Sequence, residues 1–146
     1  MKLKTAINRY VLGDVLADDL PAVAREALAD GHESASLRQL AGATGLDMHE
    51  LRGLFSKALD ELGLPLPSTS EAGIEVARSI AEDVIDGRTN AYQGAKRIWR
   101  EIFTRFPGLT QLKPFVGFAS EYEDDEKHRD EYARLIVEEC RILAGK

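Results

Sequence analysis

One cysteine, Cys140, stands among 146 residues. No internal disulfide can therefore staple the fold, and the chemistry fits a reducing compartment. No apolar run approaches the roughly 18–20 residues that a membrane-crossing helix needs. The apolar stretch near Met1 is broken by Lys2, Lys4 and Arg9, too often for a signal peptide, so a cytoplasmic setting is expected. Positive charge is in the minority, 19 Lys and Arg against 25 Asp and Glu, net −6. That balance argues against a dedicated nucleic-acid coat. Sustained period-two alternation is missing as well, and only Tyr10-Val11-Leu12 is ambiguous between strand and helix. There is no internal repeat and no low-complexity tail.

The motifs of common enzyme classes are also missing. The sequence holds no G-x-x-x-x-G-K-[ST], no G-x-G-x-x-G after a strand and no G-x-S-x-G. Only three histidines occur, His32, His49 and His128. Asp124 and Asp125 precede His128 by four and three residues, a spacing that shares a helix face, but no second helix repeats it as a two-metal bundle would require. No catalytic residue, metal ligand or cofactor is expected. Convergence of distant groups into an active site stays open.

What is present is helical periodicity. Hydrophobic residues make up 44% of the chain and charged residues 30%, as in a soluble globular domain. Leu20, Val23, Ala24, Ala27 and Leu28 follow i, i+3, i+4, i+7, i+8. Ser36 is the expected N-cap of a short helix over 37–42, and Asp47 with Glu50 opens the next. Leu51, Leu54, Phe55, Ala58, Leu59 and Leu62 line that helix until Gly63 and Pro65 stop it. Leu64-Pro65-Leu66-Pro67-Ser68-Thr69-Ser70 reads as a linker, and Ser68 with Glu71 forms a capping box. Asn90 with Gln93 starts another helix, Pro114 another, and Asp125 is expected to cap the last. The sequence thus predicts an all-α, single-domain bundle of about six to eight helices over residues 1–146, with a possible subdomain division at 64–70. The expected core comprises Leu51, Leu54, Phe55, Leu59, Ile74, Ala77, Ile80, Ala81, Val84, Ile98, Trp99, Ile102, Phe103, Leu135 and Ile136.

Three surfaces offer function. Residues 37–54 resemble a helix-turn-helix, with Ala41 small, Gly45 in the turn and Leu46 plugging the core. His49 and Arg52 would be the DNA-facing residues. Asp47 and Glu50 beside them would repel phosphate, and a purely structural helix pair is the favoured explanation of the pattern. Residues 88–108 carry Arg88, Lys96, Arg97, Arg100 and Arg105 against one acid. That basic helix follows an acidic one, so it is either a neighbour's counter-charge or a binding strip. The third surface is Glu121-Tyr122-Glu123-Asp124-Asp125-Glu126. Five acids in six positions form either a solvated helix junction or a docking surface for a basic protein, with Tyr122 as its aromatic anchor.

The segments Leu37–Gly42, Ala58–Gly63, Gly94–Trp99 and Phe115–Asp124 together resemble a group of small bacterial all-helical proteins of uncharacterised function. The resemblance implies a bacterial cytoplasmic setting and carries no activity over to any residue. The expected function is a non-enzymatic protein-interaction module that presents an acidic surface to a basic protein partner. Neither nucleic acid nor membrane is the expected partner. The alternative is a helix-turn-helix regulator using His49 and Arg52.

Overall fold

The computed structural model describes residues 1–146 and contains no β-strand. Eight α-helices follow one another: α1 (Leu3–Val11), α2 (Leu20–Ala29), α3 (Ala35–Ala41), α4 (Met48–Leu62), α5 (Thr69–Ile85), α6 (Ala91–Arg97), α7 (Lys113–Asp124) and α8 (Arg129–Ala144). Three short 3-10 turns, Ala17–Asp19, Thr110–Leu112 and Glu126–His128, join them, and α6 runs directly into a π-helical turn, Ile98–Phe103. The chain is all-α. The ambiguous Tyr10-Val11-Leu12 closes α1. No helix is long and apolar enough to cross a membrane.

Contacts gather the chain into two compact units, Met1–Ala72 and Gly73–Lys146, whose boundary falls inside α5, just past the proline-rich linker. In the first unit α3 packs on both α2 and α4. The apolar stripes of α2 (Leu20, Val23, Ala24, Ala27), α3 (Leu37, Leu40) and α4 (Leu51, Phe55, Ala58, Leu59) meet in one core, with Leu3, Ala6 and Ile7 of α1. The Tyr10 ring stands edge-on to Phe55, centroids 4.9 Å apart at 89°. Gly63 ends α4 at φ +69, a left-handed conformation that a side chain would strain.

The cap of α3 differs from expectation. Ser34, not Ser36, accepts the Leu37 N–H at 2.9 Å. Ser36 is buried and serves a distant partner. Its backbone N–H and its hydroxyl donate to the two carboxylate oxygens of Glu61 on α4, at 3.0 and 2.7 Å. These donors hold the Glu61 carboxyl below its ordinary pKa, the backbone N–H of Ser36 contributing most. A carboxyl whose pKa falls on folding stabilises the native state above its unfolded pKa, and that stabilisation is lost as pH falls through the folded value. Urea midpoints of wild type and Glu61→Gln are therefore expected to differ at neutral pH and to converge in acid, once the pH has fallen through the lowered folded value. A constant gap across the titration would remove the Ser36–Glu61 charge from the account.

In the second unit the buried hydrophobic residues are Val76, Ala77, Ile80, Ala81 and Val84 of α5, Ala95 of α6, Ile98 and Ile102 of the π-turn, Leu109, Leu112, Phe115 and Ala119, and Ile136 and Cys140 of α8. Five of the expected core residues, Leu54, Ile74, Trp99, Phe103 and Leu135, are only half-buried. Trp99 lies at the edge of a stripe whose buried centre is taken by Ile98 and Ile102, and the π-turn continues past it. The Trp99 carbonyl accepts both the backbone N–H and the hydroxyl of Thr104, each at 2.9 Å. This i→i+5 bond adds a residue to the turn and rotates the following side chains off the 3.6-residue stripe.

Candidate functional site

α7 begins with Pro114 in its first turn, where a missing N–H costs nothing. Phe115 and Ala119 anchor its buried side, and it packs along α8. The acidic segment therefore lies at the α7–α8 corner. Glu121, Glu123 and Asp124 sit in the last turn of α7, where the helix dipole disfavours negative charge. Arg129 offsets this from the start of α8, donating its Nε–H to the Tyr122 carbonyl at 2.9 Å.

Tyr122 is not an outward anchor. Its half-buried ring stacks on Tyr92 of α6, centroids 4.5 Å apart and 12° from parallel. The Arg129 guanidinium lies over the same Tyr122 ring at 5.1 Å. The Tyr92 hydroxyl donates to Glu123, and this bond, with burial behind it, raises the Tyr92 pKa. The Tyr132 hydroxyl makes long contacts with Glu121 (3.4 Å) and Asp125 (3.5 Å). Its pKa is raised too, by desolvation first and then by those two charges.

Asp125 does not cap α8, because the 3-10 turn Glu126–His128 intervenes and its side chain makes no capping bond. That side chain instead pairs with His128 Nδ1 at 2.7 Å. The five acids thus divide. Glu121, Glu123 and Asp125 meet internal tyrosine or histidine partners. Asp124 and Glu126 are exposed and meet none.

The helix-turn-helix segment folds as a helix pair. Gly45 takes φ +71 in the turn, Leu46 packs against the core, and Asp47 caps α4 by accepting the Glu50 N–H at 2.8 Å. Arg25 of α2 donates to the Ala41 carbonyl at the end of α3, 3.0 Å away. His49 and Arg52 are both exposed, three residues apart in the first turns of α4, amid exposed Asp47, Met48 and Glu50.

The basic helix uses its charges in two ways. Arg88 pairs locally with Asp83 (2.8 Å) and Asp86 (3.0 Å). Arg97 lies 3.5 Å from Glu101 Oε2, a buried atom that makes no hydrogen bond. Lys96 and Arg100 lie over rings instead: Lys96 Nζ is 5.7 Å from the Tyr92 centroid, and the Arg100 guanidinium is 4.3 Å from that of Trp99. The sequence offered these cations as a strip, but that two of them lie over aromatic rings, and the tyrosine stack, went unread. The i, i+4, i+7, i+8 spacing of Tyr92, Lys96, Trp99 and Arg100 was the available signal.

Cys140 is buried, and desolvation pushes its thiol up to about 12, so it is no nucleophile at neutral pH. No three His, Cys, Asp or Glu side chains are disposed to hold a metal ion. A shallow, open depression of about 350 Å³ runs along α8 at Ala133, Arg134, Val137, Glu138 and Arg141 and is lined mainly by apolar surface. Comparison with protein-family models, with curated proteins and with solved structures found no match to this chain.

Proposed function

We propose that this protein is a non-enzymatic interaction module whose acidic α7–α8 corner docks a basic protein partner. The observation that supports this reading is the division of labour among the acids. Tyr92, Tyr122, Tyr132, His128 and Arg129 fix the backbone and three of the carboxylates. Asp124 and Glu126 are left exposed on that scaffold without an internal partner. Charges held on a rigid corner steer encounter and lose little freedom on binding.

The test replaces only those two, as Asp124→Asn with Glu126→Gln. The fold and its thermal midpoint should hold, because no internal bond is removed. Association with a lysine- and arginine-rich peptide should slow by roughly tenfold at low salt and by much less at high salt. Peptide binding that ignores both the double change and the ionic strength would remove the corner from the function.

A second reading has one observation in its favour: His49 and Arg52 project together from the start of a helix that follows a glycine turn. Against it, residues 1–72 hold seven basic and eleven acidic residues, net −4, and phosphate neutralisation supplies most nonspecific affinity. We expect no specific duplex binding at physiological salt in a mobility-shift assay. A sequence-selective shift that is lost in Arg52→Ala would replace the first reading with this one.

A further inference from the structure

The half-exposed ridge of α6 and its π-turn is unusual in an acidic chain. Lys96 lies against the Tyr92 ring, and Arg100 lies over the Trp99 ring in the π-turn. Neither Lys96 nor Arg100 has a carboxylate partner, although acids outnumber bases 25 to 19. Each cation instead rests on an aromatic ring, which holds it in place without neutralising it. Trp99 lies half-exposed under Arg100 in the π-turn, and π-turns recur where a helix serves a function beyond packing. A cationic, aromatic face of this kind calls for an acidic counterpart.

That counterpart lies on the same unit. The acidic corner adjoins the ridge across the Tyr92–Tyr122 stack, with Glu123 bonded to Tyr92 at the boundary. An interface between identical subunits related by a two-fold axis must be self-complementary. Adjacent patches of opposite sign meet that condition when the axis passes through their common edge, because each acidic corner then lies over the other copy's cations. We infer that the α6 ridge is a docking surface for a second copy of this chain, with Lys96 and Arg100 of each protomer receiving Asp124 and Glu126 of the other. This inference rests on the acidic-corner reading and names the basic surface that the corner meets. A single-stranded nucleic acid suits the ridge less well, because its phosphates would run onto the neighbouring carboxylates.

Sedimentation velocity of the full chain tests this with two charge reversals, Lys96→Glu with Arg100→Glu and Asp124→Lys with Glu126→Lys. Wild type should show a concentration-dependent dimer that weakens as salt is added. Each reversed variant, its helicity checked by circular dichroism, should lose dimerisation by roughly a hundredfold or more, because like charges then face each other twice. Mixing the two variants should restore a dimer, since every contact again joins opposite signs. A wild type that stays monomeric at all concentrations and salts overturns the inference, as does a dimer indifferent to both reversals or a mixture that fails to associate. A monomer that binds oligothymidylate through Lys96 and Arg100 would give the ridge to nucleic acid instead. A dimer would cover Asp124 and Glu126 and compete with the peptide, so peptide binding is read on Lys96→Glu with Arg100→Glu, whose corner is intact: peptide bound there with no wild-type dimer sinks this inference alone, and no peptide bound there sinks the acidic-corner reading.

Discussion

Phe55→Ala is expected to lower the unfolding free energy by about 3–5 kcal/mol, a large part of the 5–15 kcal/mol typical of a whole domain. Phe55 is 1% exposed in the middle of α4 and belongs to the core shared by α1, α2, α3 and α4. Truncation removes the burial of the ring and leaves a cavity that three helices must close around. It also removes the edge-on partner of Tyr10, an arrangement worth about 0.5–1.5 kcal/mol beyond burial. Phe55→Leu keeps most of the volume and should cost less, about 1.5 kcal/mol or under. Urea denaturation of the full chain, followed by circular dichroism, measures both. A loss below about 1 kcal/mol for Phe55→Ala would mean that the helices do not converge on this ring. Trp99→Ala, despite the larger side chain, should cost less than Phe55→Ala. Trp99 is half-exposed, and its truncation mainly frees Arg100.

The features legible in the sequence were those whose cause lies within four residues. Asp47, Ser68 and Asn90 each bond to an N–H three positions on, as their spacing indicated. Gly63 stops α4 for a reason contained in its own φ. The features that were misread depend on partners far along the chain or on a break in period. Ser36 looks like a cap until Glu61, 25 residues away, takes both its donors. Tyr122 looks like a surface anchor until Tyr92, 30 residues earlier, stacks on it. Trp99 looks like core because it neighbours Ile98 and Ile102, yet those two fill the buried face and leave Trp99 at its edge. Charge density alone could not separate Asp124 and Glu126 from the three neighbouring acids, because the separation is made by tyrosine hydroxyls and one imidazole brought in by the fold. The core residues Leu3, Ala6 and Ile7 were legible at i, i+3, i+4 and went unread.

Gly94→Ala is expected to destabilise the chain by about 1–3 kcal/mol even though alanine is the better helix former. Gly94 is buried in the first turn of α6, and a methyl group there would stand 2.2 Å from Val84 Cγ2 on α5 and 3.7 Å from Thr89 Cγ2. Two opposing effects set the sign. Replacing a helical glycine by alanine gains about 1 kcal/mol. The clash opposes this, and the obstacle cannot swing away: Val84 is 7% exposed, and a β-branched side chain in a helix has essentially one χ1 rotamer. α5 and α6 would have to part. Gly73 makes a useful contrast, because a methyl group there meets Leu109 Cδ1 at 2.8 Å, the mobile end of a longer side chain, and Gly73→Ala should be milder. A double-mutant cycle isolates the contact at Gly94. Val84→Ala alone loses burial. In that background the Gly94 methyl enters the vacated space, and Gly94→Ala should turn from destabilising to neutral or stabilising, with a coupling of about 0.5–3 kcal/mol. Additive effects in the cycle, or a stabilising Gly94→Ala in the wild-type background, would show that α5 and α6 do not approach at this glycine.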